Sequence, residues 1–409
     1  MRALLRHRDV RLFLVGWTIS QFGDWALIIV LAIWAKALTG SNASAGLVFF
    51  ALAAPSIFSP LAGVIVDRVR RRPLLVSVYS IEAVATLSLL TVHDRGDVWL
   101  LYAMAFFIGA FGTLAASARS GLMTTTIPHE LLGDGNAIFQ SAREGLRLIA
   151  PLVGAGIYAA AGGGVVAIID AVSFIGVVAA LLLMRTPEPR FERAEHNFVA
   201  EALAGARHII HTIPLRQVVF STGAALLVVG FSETIIFAVI DQGLHRPPSF
   251  LGVLSTLQGI GAIAGGLTAA RGLRVLGDVR VAGIGMAGFA IGEASFVSSN
   301  LPLIAAGIII AGFGVSWFIV GVMTALQTRT PLRLQGRVSS AADLFISTPQ
   351  TVSIAVGAAL IAVVDYRLLV VAESAAVALC ALYLLTRRAI VPAESPPAPS
   401  EELLSQPQP

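Results

Sequence analysis

A single cysteine, Cys380, and a single lysine, Lys36, occur in 409 residues. One cysteine excludes a disulfide scaffold and a cysteine-based zinc site. A Walker phosphate loop needs a lysine behind its glycine-rich turn, and Lys36 stands in no such sequence, so this chain is not expected to use ATP by itself. Charge is scarce too. Asp, Glu, Lys and Arg make up 13% of the residues, against roughly 25% in soluble domains. Enzyme motifs are missing, and no cofactor or metal is expected.

What the chain has instead is apolar surface. Hydrophobic residues are 56% of the total and the mean hydropathy is +0.83. Such a chain cannot bury its apolar area in water, so a bilayer is its solvent. Twelve runs approach the roughly 20 apolar residues that cross a bilayer as a helix. They are Leu12–Trp34, Ser44–Val66, Pro73–Val92, Trp99–Ser117, Asn136–Ala160, Gly164–Met184, Val218–Ile240, Phe250–Ala270, Val281–Ser298, Leu303–Ala325, Ser339–Val363 and Leu368–Leu385. They lack the period-two alternation of barrel strands. The first is too long for a signal peptide and carries Asp24 mid-run. All seven histidines fall outside these runs, so none is a proton switch within the membrane.

The expected fold is an all-α membrane protein of twelve transmembrane helices in two six-helix bundles. Residues 1–184 form the first bundle, 185–217 a central loop with a short surface helix at Phe198–Ile210, and 218–388 the second bundle. Residues 389–409, rich in Pro and Ser from Pro392, read as a disordered tail. Arginine sets the orientation. It clusters near Arg2–Arg11, Arg68–Arg72, Arg185–Arg216, Arg271–Arg280, Arg329–Arg337 and Arg387–Arg388, all on the side of the N-terminus. The opposite loops hold only Lys36, Arg95, Arg246 and Arg367. Both termini are therefore expected in the cytoplasm.

A repeat supports the division. With a shift of 203 residues, Gly63 falls on Gly266, Arg68 on Arg271, Arg71 on Arg274, Pro128 on Pro331, Gly133 on Gly336, Gly154 on Gly357 and Asp170 on Glu373. Parallel halves of this kind place a substrate site between them near the midplane.

The loop after the second run carries Gly63, Asp67, Arg68, Arg71 and Arg72 in the spacing G-x-x-x-D-R-x-x-R-R. This resembles the gating signature of the major facilitator superfamily. Three further stretches resemble its macrolide-efflux and enterobactin-exporter branch of drug–proton antiporters. They are Ala116–Ser120 with Ile127–Leu132, Ala204–Ile209 with Pro214–Arg216, and Leu334 with Gly336, Arg337 and Val338. The second copy of the signature has Ala270 where the first has Asp67, so the latch role is expected mainly in the first half.

Ionisable groups inside the runs are costly and need a partner or a cavity. Trp17, Gln21 and Asp24 share one helix face. The resemblance implies that the first, fourth, seventh and tenth runs line the cavity. Asp24 there can take a proton when desolvated and release it when wetted, or simply hydrogen-bond a neighbouring helix. Gln140, Arg143, Glu144 and Arg147 populate the fifth run. The plainer reading of Glu144 and Arg147 is a self-neutralising pair near the cytoplasmic mouth; the functional one is a proton relay or a contact to a substrate anion. Glu233 is a second cavity candidate. Asp170 and Glu373 read as structural groups near the membrane interface, and Glu82 and Glu293 as peripheral. Trp25, Trp317 and Phe318 are candidate walls of an aromatic drug site.

The expected function is export of an amphipathic organic compound by proton antiport, from a monomer in a bacterial inner membrane. Asp24, Glu144 and Glu233 are the candidate proton carriers. Import or uniport of a metabolite uses the same fold, and a non-transporting receptor is a third reading. The expected partners are protons, a small-molecule substrate and lipid, with no nucleic acid.

Overall fold

The computed structural model describes residues 6–58, 66, 69–127, 131–185, 198–331 and 334–386. Among these there is helix and no strand. Six helices precede the central loop: α1 Arg8–Thr39, α2 Asn42–Ala53, α3 Arg71–Leu87, α4 Val98–Thr126, α5 Leu132–Ala161 and α6 Gly163–Leu183. The loop helix α7 is Phe198–His211. The second half holds α8 Ile213–Val229, α9 Ser232–Ala238, α10 Leu251–Leu276, α11 Asp278–Ala294, α12 Leu301–Thr328, α13 Gln335–Leu360 and α14 Tyr366–Thr386. The signature residues Gly63, Asp67 and Arg68, the loop residue Pro128 and the tail from residue 387 lie outside the described residues.

Local chemistry starts two of the helices where the chain turns. The Ser41 hydroxyl accepts from the Ser44 amide to start α2, and the Asn300 side chain accepts from Leu303 to start α12, each satisfying an orphan amide of a helix N-terminus. Two turns consist of one residue. Gly162 joins α5 to α6 at φ +80° and Gly277 joins α10 to α11 at φ +79°, a region where a Cβ is strained.

Nine helical stretches among the described residues are long and apolar enough to cross a membrane. The other three expected runs are shorter or more polar. The second appears as α2 with a 3-10 turn, Ala54–Phe58. The fifth is α5, apolar only over Gly145–Ala161. The eleventh is α13, diluted by Ser, Thr and Gln and with Pro349 inside it. The seventh run is not one helix. It breaks at Gly230 and Phe231 between α8 and α9, and ends in a π-turn, Val239–Gly243.

Packing is arranged unequally along the helix axes. At the end of the molecule bearing the start of α1 and the end of α14, here the terminal side, there are two separate cores. One holds Phe13, Trp17, Leu75, Leu122, Phe174 and Leu181 of the first half. The other holds Val218, Ala282, Met286, Val322, Ala342 and Leu384 of the second half. At the opposite, distal side a single core takes in both halves, with Leu27, Ile33, Val48 and Leu101 packed together with Ile235, Phe237, Leu254 and Tyr366. Contacts between halves run through α2 with α9 and α13, and through α5 with α10. Gly46 lies directly on Thr234, and Gly252 on Leu152 and Ala155; small residues allow that approach. The halves are thus closed distally and divide toward the terminal side.

Candidate functional site

Along α1 the first-half terminal core reaches Trp17 and the shared distal core begins at Ala26. The residues between them border the point where the halves divide. Asp24 is among them, roughly 24 Å along the helix at 1.5 Å per residue. Its side chain is half-buried, and among the described residues it makes no hydrogen bond or ion pair. The basic group acting on it is Arg119 of α4. The Arg119 guanidinium lies over the Trp17 ring, 5.1 Å from its centre, and is shared with the Tyr79 hydroxyl of α3.

Behind Asp24, inside the first half, stand two further acids. Glu82 of α3 is 3% exposed and Asp170 of α6 is fully buried. The Ser173 hydroxyl donates to the Asp170 carbonyl at 2.7 Å and lies 3.3 Å from its Oδ1, while Oδ2 has no partner among the described residues. Asp170 packs on Gly23, where a Cβ would collide with its carboxylate. Asp170 is therefore level with the middle of α1, which corrects the near-interface reading. The cause is helix register: Gly23 leaves a slot at that depth.

The second half repeats the theme with different residues. The break at Gly230 presses that residue against α13, where a Cβ would stand 2.6 Å from the Ile354 nitrogen and 2.8 Å from the Gln350 oxygen. Ser232 then opens α9, and its hydroxyl reaches two carboxylates: Glu373 of α14, at very short range, and Glu293 of α11 at 3.4 Å. One hydrogen serves two acceptors. Glu373 is fully buried. Glu233, beside Ser232, is half-buried and feels Arg147 of the other half. Arg147 in turn lies 5.9 Å from the centre of the Trp25 ring. Arg147 thus joins α1, α5 and α9 across the division, at helix centre rather than at a mouth.

Other expected site residues fall as follows. Gln21 and Trp25 are half-buried, and Arg143 is exposed. Trp17 is only 1% exposed and packs on Phe139 at 4.9 Å, so its ring is core rather than wall. The Trp317 indole donates to Thr268 Oγ1 of α10 at 2.9 Å. Phe318 packs at Gly285 of α11. The side chains of Gln140 and Glu144 lie outside the described set, as does that of Gln335; Gly336 is in the first turn of α13. Arg71 donates to the Gly121 carbonyl at 2.9 Å and Arg72 to that of Leu182 at 2.8 Å. Arg337 meets Gly205 of α7 through its backbone.

Sequence reasoning missed two ion pairs. Lys36, expected in a loop, is in the last turn of α1 and 6% exposed. Its ammonium donates to Asp241 Oδ2 at 2.9 Å and to the Gly40 carbonyl at 3.0 Å, tying the halves together distally. Arg329 binds both oxygens of Asp278 at 2.7 Å, a bidentate clamp between α11 and the end of α12. Only a shared helix end could have hinted at either.

Comparisons with known proteins agree with this geometry. A comparison with curated proteins yields no match. A solved bacterial homologue of the iron transporter ferroportin is similar at 16% identity. In its inward-facing state the TM-score is 0.70, with 93% of this chain and 98% of that chain covered. In its outward-facing state the TM-score is 0.59, with 92% and 98% covered. The nucleoside transporter NupG gives 0.69 at 14% identity, covering 91% and 98%. A bacterial homologue of the human lysosomal transporter Spinster, inward-facing and unoccupied, gives 0.69 at 12%, covering 93% and 96%. The family model described as Major Facilitator Superfamily matches residues 13–240 and again 218–408. Two bundles, each matched by the same model and divided around half-buried charge, make this chain a member of the Major Facilitator Superfamily, a multi-pass secondary transporter and not an enzyme.

Proposed function

We propose that this transporter exports an amphipathic organic compound in exchange for protons, by alternating access. The terminal side is then the cytoplasmic side, as arginine distribution indicates, and the structure is inward-facing. Asp24 carries the reading. It is a half-buried carboxylate at mid-helix, bordering the division of the halves, and no described residue bonds it permanently. Desolvation disfavours its charge when the halves close over it, and water restores it when they part. A proton and a substrate competing for one state of the transporter couple their fluxes. Glu233, held near Arg147 across the division, and Glu144 on the helix of Arg147 are second carriers. Export rather than import is supported by the three exporter-like loop stretches around Arg119, Arg207 and Arg337.

The test is transport in proteoliposomes with an imposed pH gradient. Asp24→Asn is expected to abolish gradient-driven flux while leaving exchange of substrate for substrate. Undiminished, still pH-dependent flux in this variant removes Asp24 from the mechanism. An importer on the same fold is the second reading. Collapse of the gradient in cells separates the two: an exported compound then accumulates inside, and an imported one does not.

A further inference from the structure

Three arginines of the first half, Arg119, Arg143 and Arg147, stand at successive depths from the terminal side. Arg119 is about 10 Å from the terminal end of α4, at 1.5 Å per residue. Arg143 and Arg147 are about 17 and 23 Å from the terminal end of α5 by the same measure. Their neighbours fix the direction they face. Arg119 lies over Trp17 of α1 and is within range of the Arg143 charge. Arg147 lies over Trp25 of α1 and acts on Glu233 of the opposite half. α5 itself packs on α1 and on α10 of the opposite half. The exposure of Arg143 and Arg147 is therefore exposure to the space between the halves.

Like charges do not gather in a low-dielectric place without a reason. Bringing Arg119 and Arg143 together costs Coulomb energy that water at the site screens only in part. Arg143 recovers none of it among the described residues, since it forms no hydrogen bond or ion pair there. Arg119 and Arg147 are instead placed over indole rings, 5.1 and 5.9 Å from the ring centres, which adds a cation–π attraction. A planar guanidinium fork suits carboxylate, sulfonate and phosphate oxygens, and an indole ring suits a planar apolar body. The facing carboxylates are Asp24 and Glu233, with Glu144 on α5.

We propose that the transported compound is an organic anion with a planar apolar body, received by Arg143 and passed to Arg147 beside Trp25. This rests on reading the space between the halves as the substrate site, and it names the charge of the substrate. Asp24 and Glu233 then serve the proton, and the arginines serve the cargo.

Two xanthene dyes of opposite charge test it: sulforhodamine B, an anion, and rhodamine 6G, a cation. Binding to the full-length protein in nanodiscs is measured by fluorescence anisotropy at fixed pH with no gradient, so the result does not depend on proton coupling. Sulforhodamine B is expected to bind more tightly than rhodamine 6G. Arg143→Gln is expected to weaken the anion about tenfold, the loss of roughly one charge-assisted hydrogen bond, with Arg143→Lys recovering part of it and rhodamine 6G unchanged. Tighter binding of rhodamine 6G, or an equal response of both dyes to Arg143→Gln, overturns the anion assignment. If anion binding follows the prediction while Asp24→Asn leaves gradient-driven flux intact, the anion site stands and the proton-coupling reading fails.

Discussion

The two halves share a repeat but settle their buried charge differently. In the first half, three acids from α1, α3 and α6 are gathered with a cation, Arg119, and a phenol, Tyr79. In the second half, acids from α11 and α14 meet at one serine hydroxyl of α9, with Glu233 beside that serine in the chain. Only Asp170 and Glu373 are equivalent under the shift of 203 residues. The copy of Glu82 is Gly285, and the copy of Asp24 is Leu227. Glu233 therefore sits six residues nearer the distal end than the position equivalent to Asp24, about 9 Å along a helix. A duplicated fold thus keeps its helices while its charges migrate by one or two turns. The depth of each charge, not the count of charges, distinguishes the halves.

The strongest way to break this comparison is to remove the cation from one half. Arg119→Gln leaves the three first-half acids without the counter-charge that acts on Asp24. Breaking a buried ionic arrangement costs about 3–5 kcal/mol, so a sharp loss of folded, monodisperse protein is expected in size-exclusion chromatography. Glu373→Gln in the second half keeps an acceptor for Ser232 and removes the acid. It is expected to stay within about 1.5 kcal/mol of the parent, the net worth of one hydrogen bond. Equal damage from both substitutions would erase the distinction between the halves.

A smaller effect is expected where the second half has exchanged an acid for close packing. A Cβ at Gly285 would lodge against the Phe318 backbone, and one at Gly314 would stand 2.5 Å from the Gly285 carbonyl oxygen. Backbone cannot move aside as a side chain can. Gly285→Ala is expected to cost about 1–3 kcal/mol through overpacking, read as a lower thermal midpoint. The same substitution at Gly266, which has open space around it, is expected to be neutral.

The smallest effect concerns the pair that joins the halves. The Asp241 side chain is 52% exposed, against 7% for Lys36, so water screens the bridge and it contributes about 1 kcal/mol at most. Lys36→Met is expected to raise the distally open population by up to about fivefold without unfolding either half. Single-molecule fluorescence between distal helix ends reads that shift. No change in population would make the bridge an ornament of the closed state.

Much of the architecture is legible in the chain because apolar length and arginine placement act over whole helices. The runs at α1, α6, α12 and α14 announce themselves by hydropathy alone, and Gly63, Arg68 and Arg71 recur in the second half at one shift. What stays hidden depends on rotation about a helix axis. Trp17 and Asp24 share a face by spacing, yet Trp17 turns into the core against Phe139 and Arg119 while Asp24 remains accessible. Nothing in the sequence told that Ser232 sits between Glu293 and Glu373, because the three residues lie on separate helices and meet only through packing. The break at Gly230 was equally hidden, since Gly within an apolar run is ordinary and its role here comes from contact with α13. Lys36 lies in a helix rather than a loop because α1 is longer than its apolar run.

Alternating access governed by Asp24 is tested most directly by distances at both ends of the molecule. With Cys380→Ser as background, spin labels at Ala37→Cys and Gln242→Cys span the halves distally, and labels at Arg70→Cys and Arg280→Cys span them at the terminal side. Pulsed electron paramagnetic resonance in nanodiscs then follows both distances across a pH series. The account predicts that the two distances change in opposite directions with pH, and that Asp24→Asn fixes both at one end of the series. Distances indifferent to pH in the parent protein, or an unaltered pH response in Asp24→Asn, would contradict it.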